Sequence, residues 1–199
     1  MQLKFQLVVS SVLVFFLSAP AYSRNIEPVF QQLKTSSEKY QIVGTVCEQV
    51  ARLELELQYP ADEYSVENGI AYTQGGQTLG ELDVVVFRRN DHKVILIGEV
   101  KCWHDLHGAQ VKARHQRENF IFHLKKGGRG IDFYKTMDPK VHYSPRQFDQ
   151  IPPFILISQD EGRYAGFDLA LPYSLDELME LREMLLHCQD IGECSTPKH

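Results

Sequence analysis

The clearest hydrophobic pattern in the chain is a pair of apolar segments separated by a short polar one. Residues 80–87 have the sequence GELDVVVF and residues 94–103 have VILIGEVKCW, and both are rich in the β-branched side chains that favour strands. The six residues between them, RRNDHK, are polar and favour a turn. The pattern therefore predicts a β-hairpin near the middle of the chain.

The predicted turn centres on Asp91, and this sets the register of the hairpin. Side chains alternate between the two faces of a strand, so Glu99 and Lys101 share a face. Asp83 is likewise expected to share a face with Val85 and Phe87. The expected cross-strand pairs are Asp83 with Glu99, Val85 with Ile97 and Phe87 with Ile95. The register thus brings two carboxylates and one ammonium group together.

Helical and strand patterns alternate on both sides of the hairpin. The expected elements, in chain order, are one or two helices within residues 26–57, a strand over 63–73, the hairpin, a helix from His104 or Asp105 to about Lys126, a loop that holds Asp138-Pro139 and Ser144-Pro145, strands over 154–158 and 164–168, and a helix over 175–188. Ser174 and Glu177 form a capping-box pattern at the start of the last helix. The alternation predicts an α/β fold with a central mixed β-sheet flanked by helices.

The first 23 residues have the order of charge and hydrophobicity of a secretory signal peptide. Lys4 precedes an apolar run over residues 7–17, and the small residues Ala21 and Ser23 follow. We expect cleavage after Ser23, with cleavage after Ala21 as the alternative, and a single domain over residues 24–199. The competing interpretation is a membrane anchor, for which the run is short. The protein is therefore expected in the periplasm or outside the cell.

Export would expose the four cysteines of the chain to oxidation. Cys188 and Cys194 are close in sequence and flank Gly192, so a disulfide is expected between them. The pairing of Cys47 and Cys102 is left open. The chain has no Cys-x-x-Cys spacing, so a four-cysteine metal site is not expected.

The charges divide the chain into an acidic whole and one basic segment. The formal net charge is −5, which argues against a protein that coats DNA without specificity. Residues 112–130 contain six Lys or Arg and a single acidic residue, Glu118. The candidate nucleic-acid-binding residues of this region are Gln110, Lys112, Arg114, Gln116 and Arg117. A solvated helix face without function is an equal alternative for this basic run.

Asp83, Glu99 and Lys101 are the candidate catalytic residues. Adjacent carboxylates repel each other unless a cation lies between them, and carboxylate oxygens suit Mg²⁺ or Mn²⁺. Residues 94–97 are apolar on both faces, which is typical of a buried strand whose terminal charges need partners. The alternative is a solvated hairpin edge on which Lys101 forms an ordinary salt bridge.

An aspartate before a hydrophobic hairpin, followed by Glu-x-Lys at the end of a buried strand, resembles the PD-(D/E)xK, or restriction-endonuclease-like, nuclease superfamily. GELD at residues 80–83 and GEVK at residues 98–101 are similar to members with a GE-hydrophobic-D … EVK pattern. Leu82 stands where the proline of the family name would be. The resemblance covers residues 45–158 and implies a core of a helix, three strands, a helix and a further strand.

The resemblance also implies roles for individual residues. It assigns Mg²⁺ or Mn²⁺ to Asp83, Glu99 and the backbone carbonyl of Val100, and it assigns the attacking water to Lys101. Glu48 resembles the helix carboxylate that reaches the metal through water or holds a second ion, although a surface glutamate is the alternative. Glu81, two residues before Asp83, is a further candidate. Gln116-x-x-x-Phe120 resembles the Gln-x-x-x-Tyr motif of some members.

The expected function is metal-dependent hydrolysis of phosphodiester bonds, with DNA favoured over RNA as the substrate. Two alternatives follow from the same residues and the leader. One is a non-catalytic module that binds nucleic acid or protein on the same fold. The other is a secreted nuclease that acts as a toxin or effector.

Overall fold

The computed structural model describes residues 25–197, apart from residues 128, 129 and 149. Its helices are α1 (Glu27–Leu33), α2 (Thr45–Gln58), α3 (Leu106–Gly127), α4 (Gly162–Ala165) and α5 (Leu175–Asp190), with a 3₁₀ turn at Pro145–Phe148. Its strands are β1 (Tyr64–Gln74), β2 (Gln77–Arg88), β3 (Val94–Val100), β4 (Ile131–Lys135), β5 (Asp138–Tyr143), β6 (Phe154–Ser158) and β7 (Leu169–Ala170).

The strands form one seven-stranded sheet in the order β5-β4-β1-β2-β3-β6-β7. The pairs from β5 to β3 are antiparallel, whereas β6 runs parallel to β3 and β7 parallel to β6. A parallel pair needs a crossover connection, and α3 provides it between β3 and β6. The expected α/β fold with a mixed sheet is therefore confirmed.

Helices cover both faces of the sheet. On one face α1, α2 and α5 pack against inward-facing strand residues such as Val84, Val86 and Val100. On the other face Phe120 of α3 and Phe148 of the 3₁₀ turn pack against a second apolar cluster. Burial on both faces explains why residues 94–97 of β3 are all apolar, as the sequence indicated.

The central hairpin has the expected register at its core but not near its turn. Val85 pairs with Ile97, as expected, and Val84 pairs with Gly98. Phe87, however, pairs with Val94 and not with Ile95, because the register shifts after Val86. The shift is a β-bulge that leaves one extra residue on β3, and hydrophobic alternation alone does not predict it.

Two other expectations about secondary structure are wrong. The segment expected as a loop around Asp138-Pro139 contains β4 and β5, which extend the sheet beyond β1. All but one of the β5 residues are exposed, so this edge strand has no apolar face for the sequence to indicate. The strand expected over residues 164–168 is instead the end of α4, capped by Gly166 with φ 82°, and β7 follows it.

The last helix confirms its predicted start. The Ser174 side chain accepts from the backbone N–H of Glu177, and the Glu177 carboxylate accepts from the backbone N–H of Ser174. The helix continues two residues beyond the expected end, to Asp190. Reciprocal capping of this kind is local in sequence, which is why the pattern alone identifies it.

Two disulfides join the four cysteines. The expected Cys188–Cys194 bond is present, and a second bond links Cys47 of α2 to Cys102, just beyond β3. Both bonds fit a protein of an oxidising compartment. Within the described part of the chain, no helix is long and apolar enough to cross a membrane. The predicted leader, residues 1–23, lies outside the described residues.

Candidate active site

Asp83 lies where the alternation of side-chain faces along strand β2 breaks. Leu82 and Val85 are three residues apart yet pack in the same apolar cluster, so the alternation of faces breaks between them. The expectation that Asp83 shares a face with Val85 and Phe87 is therefore wrong. Asp83 instead lines a cleft beside α2. Gly69, which lies opposite on β1, has φ 65°, a conformation that glycine adopts readily.

The Asp83 side chain replaces a backbone partner at the end of the hairpin. Backbone pairing between β2 and β3 extends to Val84 and Gly98, and the next free N–H, that of Val100, donates to Asp83 Oδ2 at 2.7 Å. Val100 is 4% exposed, so this N–H has little access to water. The carboxylate therefore both closes the hairpin and remains available to a cation on its other lone pairs.

Lys101 brings the predicted groups together. Its Nζ donates to Asp83 Oδ2 at 3.1 Å, to Glu99 Oε1 at 2.5 Å and to the carbonyl oxygen of Val100 at 2.9 Å. Burial lowers the pKa of Lys101, but the negative charges of Asp83 and Glu99 outweigh it and the net shift is upward. The lysine is therefore held as a cation at the point where three oxygen ligands converge.

Glu99 is the most deeply buried charged group of the site, with 1% of its surface exposed. Burial, together with the negative charge of Asp83, raises its pKa to about 8, and Lys101 opposes that rise. A carboxyl in such a place is stable as an anion only when cations surround it. Lys101, whose ammonium lies beside the Glu99 carboxylate, supplies one such cation.

A cleft of about 170 Å³ opens beside Asp83. Glu48 of α2 and Glu81 of β2 line it together with Asp83. Burial and the negative charges of Asp83 and Glu81 together raise the pKa of Glu48 to about 8, although Lys101 opposes the rise. Burial also raises the pKa of Glu81, whose carboxylate is hydrogen-bonded to Thr136. The structure thus places Glu48 and Glu81 beside Asp83, with Glu99 and Lys101 outside the cleft lining.

The resemblance implies a divalent ion at this site. Among the described residues, no group of three or more His, Cys, Asp or Glu side chains is close enough to hold a metal ion. Two carboxylates and one carbonyl nevertheless converge on the ammonium of Lys101, and hard cations prefer ligands of this kind. The oxygen donors of Asp83, Glu99 and Val100 would therefore suit a divalent cation.

The Cys47–Cys102 disulfide links helix α2, which carries Glu48, to the segment after β3, which carries Lys101. Cys47 precedes Glu48 on α2, and Cys102 follows Lys101 after β3. The bond crosslinks residues 55 apart in sequence, so the helix carboxylate and the lysine are held by one covalent link. The sequence left this pairing open because nothing local relates the two cysteines.

The segment after β3 is held by two buried polar residues that the sequence did not indicate. Ser158 Oγ donates to the carbonyl oxygen of Lys101 at 2.6 Å, and Gln159 Nε2 donates to that of Trp103 at 2.8 Å. Both donors are almost completely buried. They follow the apolar strand β6, and only the parallel pairing of β6 with β3 reveals their partners.

The predicted nucleic-acid-binding residues on α3 do not form one surface. Lys112 and Arg114 are exposed and Arg117 is half-buried. Gln110 is instead buried, and its amide donates to the carbonyl oxygen of Gly166, so its side chain secures the loop after α4. Gln116 is half-buried and its Oε1 is buried without a partner among the described residues. The prediction that Gln110 contacts nucleic acid at the surface is therefore wrong.

Comparisons of the chain with protein-family models, with curated proteins and with solved structures found no significant match.

Proposed function

We propose that this protein is a divalent-metal-dependent nuclease that hydrolyses phosphodiester bonds, with DNA favoured over RNA. The observation that supports the proposal most is the convergence of Asp83, Glu99 and the Val100 carbonyl on Lys101 Nζ. A salt bridge needs only one carboxylate, whereas this buried lysine contacts two carboxylates and a carbonyl oxygen. Such an arrangement suits a site that exchanges cations more than one that only joins two strands.

The element order supports a restriction-endonuclease-like core. Helix α2 is followed by the antiparallel strands β1, β2 and β3, then by α3 and by β6, which lies parallel to β3. This is the succession of a helix, three strands, a helix and a further strand that the sequence resemblance implied. Asp83 and Glu99 lie on the second and third of these strands.

Asp83, Glu99 and the Val100 carbonyl would hold Mg²⁺ or Mn²⁺. Glu48 on α2 would contact the ion through water or hold a second ion. A bound divalent ion supplies Lewis-acid polarisation of the scissile phosphate and makes a water more acidic. Lys101, released from the two carboxylates, would be free to orient the attacking water and to neutralise phosphate charge. Burial of Glu99 and Asp83 keeps water from screening these charges.

One observation favours a second candidate, a nucleic-acid-binding module without catalysis. Lys101 already forms ion pairs with both Asp83 and Glu99, so each carboxylate has a cationic partner without an added ion. A binding module would retain affinity for nucleic acid in EDTA and would show no cleavage with any divalent ion. Export as a toxin or effector would alter the destination of the protein but not this chemistry.

The test is a cleavage assay on plasmid DNA, single-stranded DNA and RNA, each with Mg²⁺, Mn²⁺ or EDTA. The matched variants are Glu99→Gln, at the buried site, and Glu118→Gln, on the exposed face of α3. We expect metal-dependent cleavage by the wild type and by Glu118→Gln, and none by Glu99→Gln. Cleavage that survives in Glu99→Gln, or that is equal in EDTA, would refute the proposal.

A further inference from the structure

Trp103 is the only tryptophan of the chain and lies two residues after Lys101. Two residues of extended chain span about 7 Å, so the indole is anchored close to the proposed site. The residue is 42% exposed, which is a large apolar surface to leave in water. Its backbone, in contrast, is fixed by the hydrogen bond from the buried Gln159. The ring is therefore displayed at a defined position.

Lys112 of α3 provides a positive charge beside this ring. Its Nζ lies 4.7 Å from the centroid of the Trp103 ring, within the range of a cation–π contact. Lys112 is itself exposed, and Arg114 nearby on the same helix is exposed as well. An aromatic surface thus adjoins exposed cations in a protein whose net charge is negative.

From this juxtaposition we infer that Trp103 stacks an unpaired nucleic-acid base, while Lys112 contacts the adjoining phosphate. The inference rests on the proposed nuclease function and specifies its substrate class as nucleic acid with unpaired nucleotides, either single strands or duplex ends with overhangs. A base within a duplex is already stacked on its neighbours and would have to be unstacked before it could cover the indole. Aromatic rings beside basic residues are the usual means of binding single strands without sequence preference.

Carbohydrate and protein partners also cover exposed tryptophans, but the charges favour a polyanion. Lys112 lies in the N-terminal third of α3, the helix that follows the Glu-x-Lys strand, so a phosphate bound by Lys112 would lie close to the proposed cleavage site. The positive charge of Lys101 offsets one of the two negative charges of Asp83 and Glu99, which reduces their repulsion of an incoming phosphate.

The experiment uses the fluorescence of Trp103, which no other indole obscures. The Glu99→Gln protein, which is expected not to cleave, is titrated with four ligands at equal phosphate concentration. They are oligothymidylate, a blunt duplex, the same duplex with a single-stranded overhang, and an abasic deoxyribose-phosphate oligomer. We expect quenching by oligothymidylate and by the overhang, and little by the blunt duplex or the abasic oligomer.

Substitutions separate stacking from charge, with affinity measured by anisotropy of a labelled oligonucleotide. In the Glu99→Gln background, Trp103→Ala should weaken single-strand binding by roughly fivefold to a hundredfold, and Trp103→Phe should restore most of it. Phe122→Ala is the matched control. Phe122 is 55% exposed on the same helix with Lys126 5.4 Å from its ring centroid, about 15 Å along the helix from Lys112. The Phe122→Ala change should leave the affinity for single strands unchanged.

The outcomes distinguish this inference from the proposed function. If the wild type cleaves DNA but Trp103→Ala binds single strands as tightly as its parent, the inference is wrong and the nuclease proposal stands. Equal quenching by the abasic oligomer or by the blunt duplex also overturns the inference, because neither offers an unpaired base. If the protein neither cleaves nor binds any nucleic acid, both proposals fail together.

Discussion

At the scale of single residues, Asp83 has two separable roles. Its carboxylate accepts the buried N–H of Val100 and the ammonium of Lys101, so it completes the hairpin as well as the proposed cation site. A substitution that removes the acceptor leaves a buried donor without a partner. A substitution that keeps an acceptor oxygen removes only the charge.

We therefore expect Asp83→Ala and Asp83→Asn to abolish cleavage equally but to differ in stability. Asp83→Ala should lower the free energy of unfolding by about 1–3 kcal/mol, since Val100 N–H loses its partner. Asp83→Asn should cost less, because its amide oxygen can still accept from that N–H. Urea denaturation with EDTA present measures both values. Equal stability of the two variants would contradict the structural role.

Glu99 makes the stability of the metal-free protein depend on pH. Its pKa is raised from 4.5 to about 8, so between these values the folded state retains a proton that the unfolded state has released. Stability from such a group is present below pH 4.5 and is lost as pH rises through about 8. Glu48, also raised to about 8, acts in the same direction.

The expected result is a melting temperature in EDTA that falls between about pH 5 and pH 8, and that falls less in Glu99→Gln. Saturating Mg²⁺ or Mn²⁺ should raise the wild-type melting temperature most at the alkaline end, where the carboxylates are ionised. Differential scanning fluorimetry across this pH range provides the measurement. A pH profile that Glu99→Gln leaves unchanged would show that Glu99 does not titrate in this window.

At the scale of elements, the site depends on how α2 is fixed relative to the end of β3. The two elements share the apolar layer that contains Val46, Val50 and Val100, and the Cys47–Cys102 bond crosslinks them beside Glu48 and Lys101. The Cys188–Cys194 bond instead joins two residues only 6 positions apart in sequence, at the end of α5. The two disulfides thus form a natural pair of test and control.

Replacing Cys47 and Cys102 together by Ser should lower the free energy of unfolding by about 2–4 kcal/mol and also reduce cleavage. The loss of activity follows because Glu48 and Lys101 are no longer joined by a covalent link. The Cys188→Ser/Cys194→Ser double variant should lose less stability, since its loop is short, and should retain the wild-type cleavage rate. Cleavage is compared at a temperature where all variants are folded. If both double variants cleave at the same rate, the Cys47–Cys102 bond contributes to stability but not to activity.

At the scale of the whole molecule, the predicted leader and the two disulfides both indicate the cellular compartment of the protein. Two disulfides within a chain of this size fit an oxidising environment, and the predicted signal peptide would deliver the protein there. The expected product of export begins at Arg24, or at Tyr22 if cleavage follows Ala21. Intact-mass spectrometry of the exported protein, with and without reduction, measures both the start and the number of disulfides. A product that retains Met1 would contradict the secretion hypothesis.

Local patterns determined the parts of the fold in which partners are close in sequence. The core register of the hairpin, the strand Phe154–Ser158 and the capping box of α5 follow from alternation, turn chemistry and residues three positions apart. The grouping of Asp83, Glu99 and Lys101 belongs to this class, because a hairpin places both arms of the motif side by side. The sequence alone therefore indicated the centre of the candidate site.

Tertiary structure decided everything that depends on distant partners. The exposed edge strand β5 has no apolar period and exists only because β4 is there to pair with it. The burial of Gln110 against Gly166 and the Cys47–Cys102 bond likewise arise from contacts between separate elements. The break of alternation at Asp83 is visible only once the two faces of the sheet are known. Such contacts leave no trace in local hydrophobic periodicity, since that pattern reports only which side of an element is buried and not what lies against it.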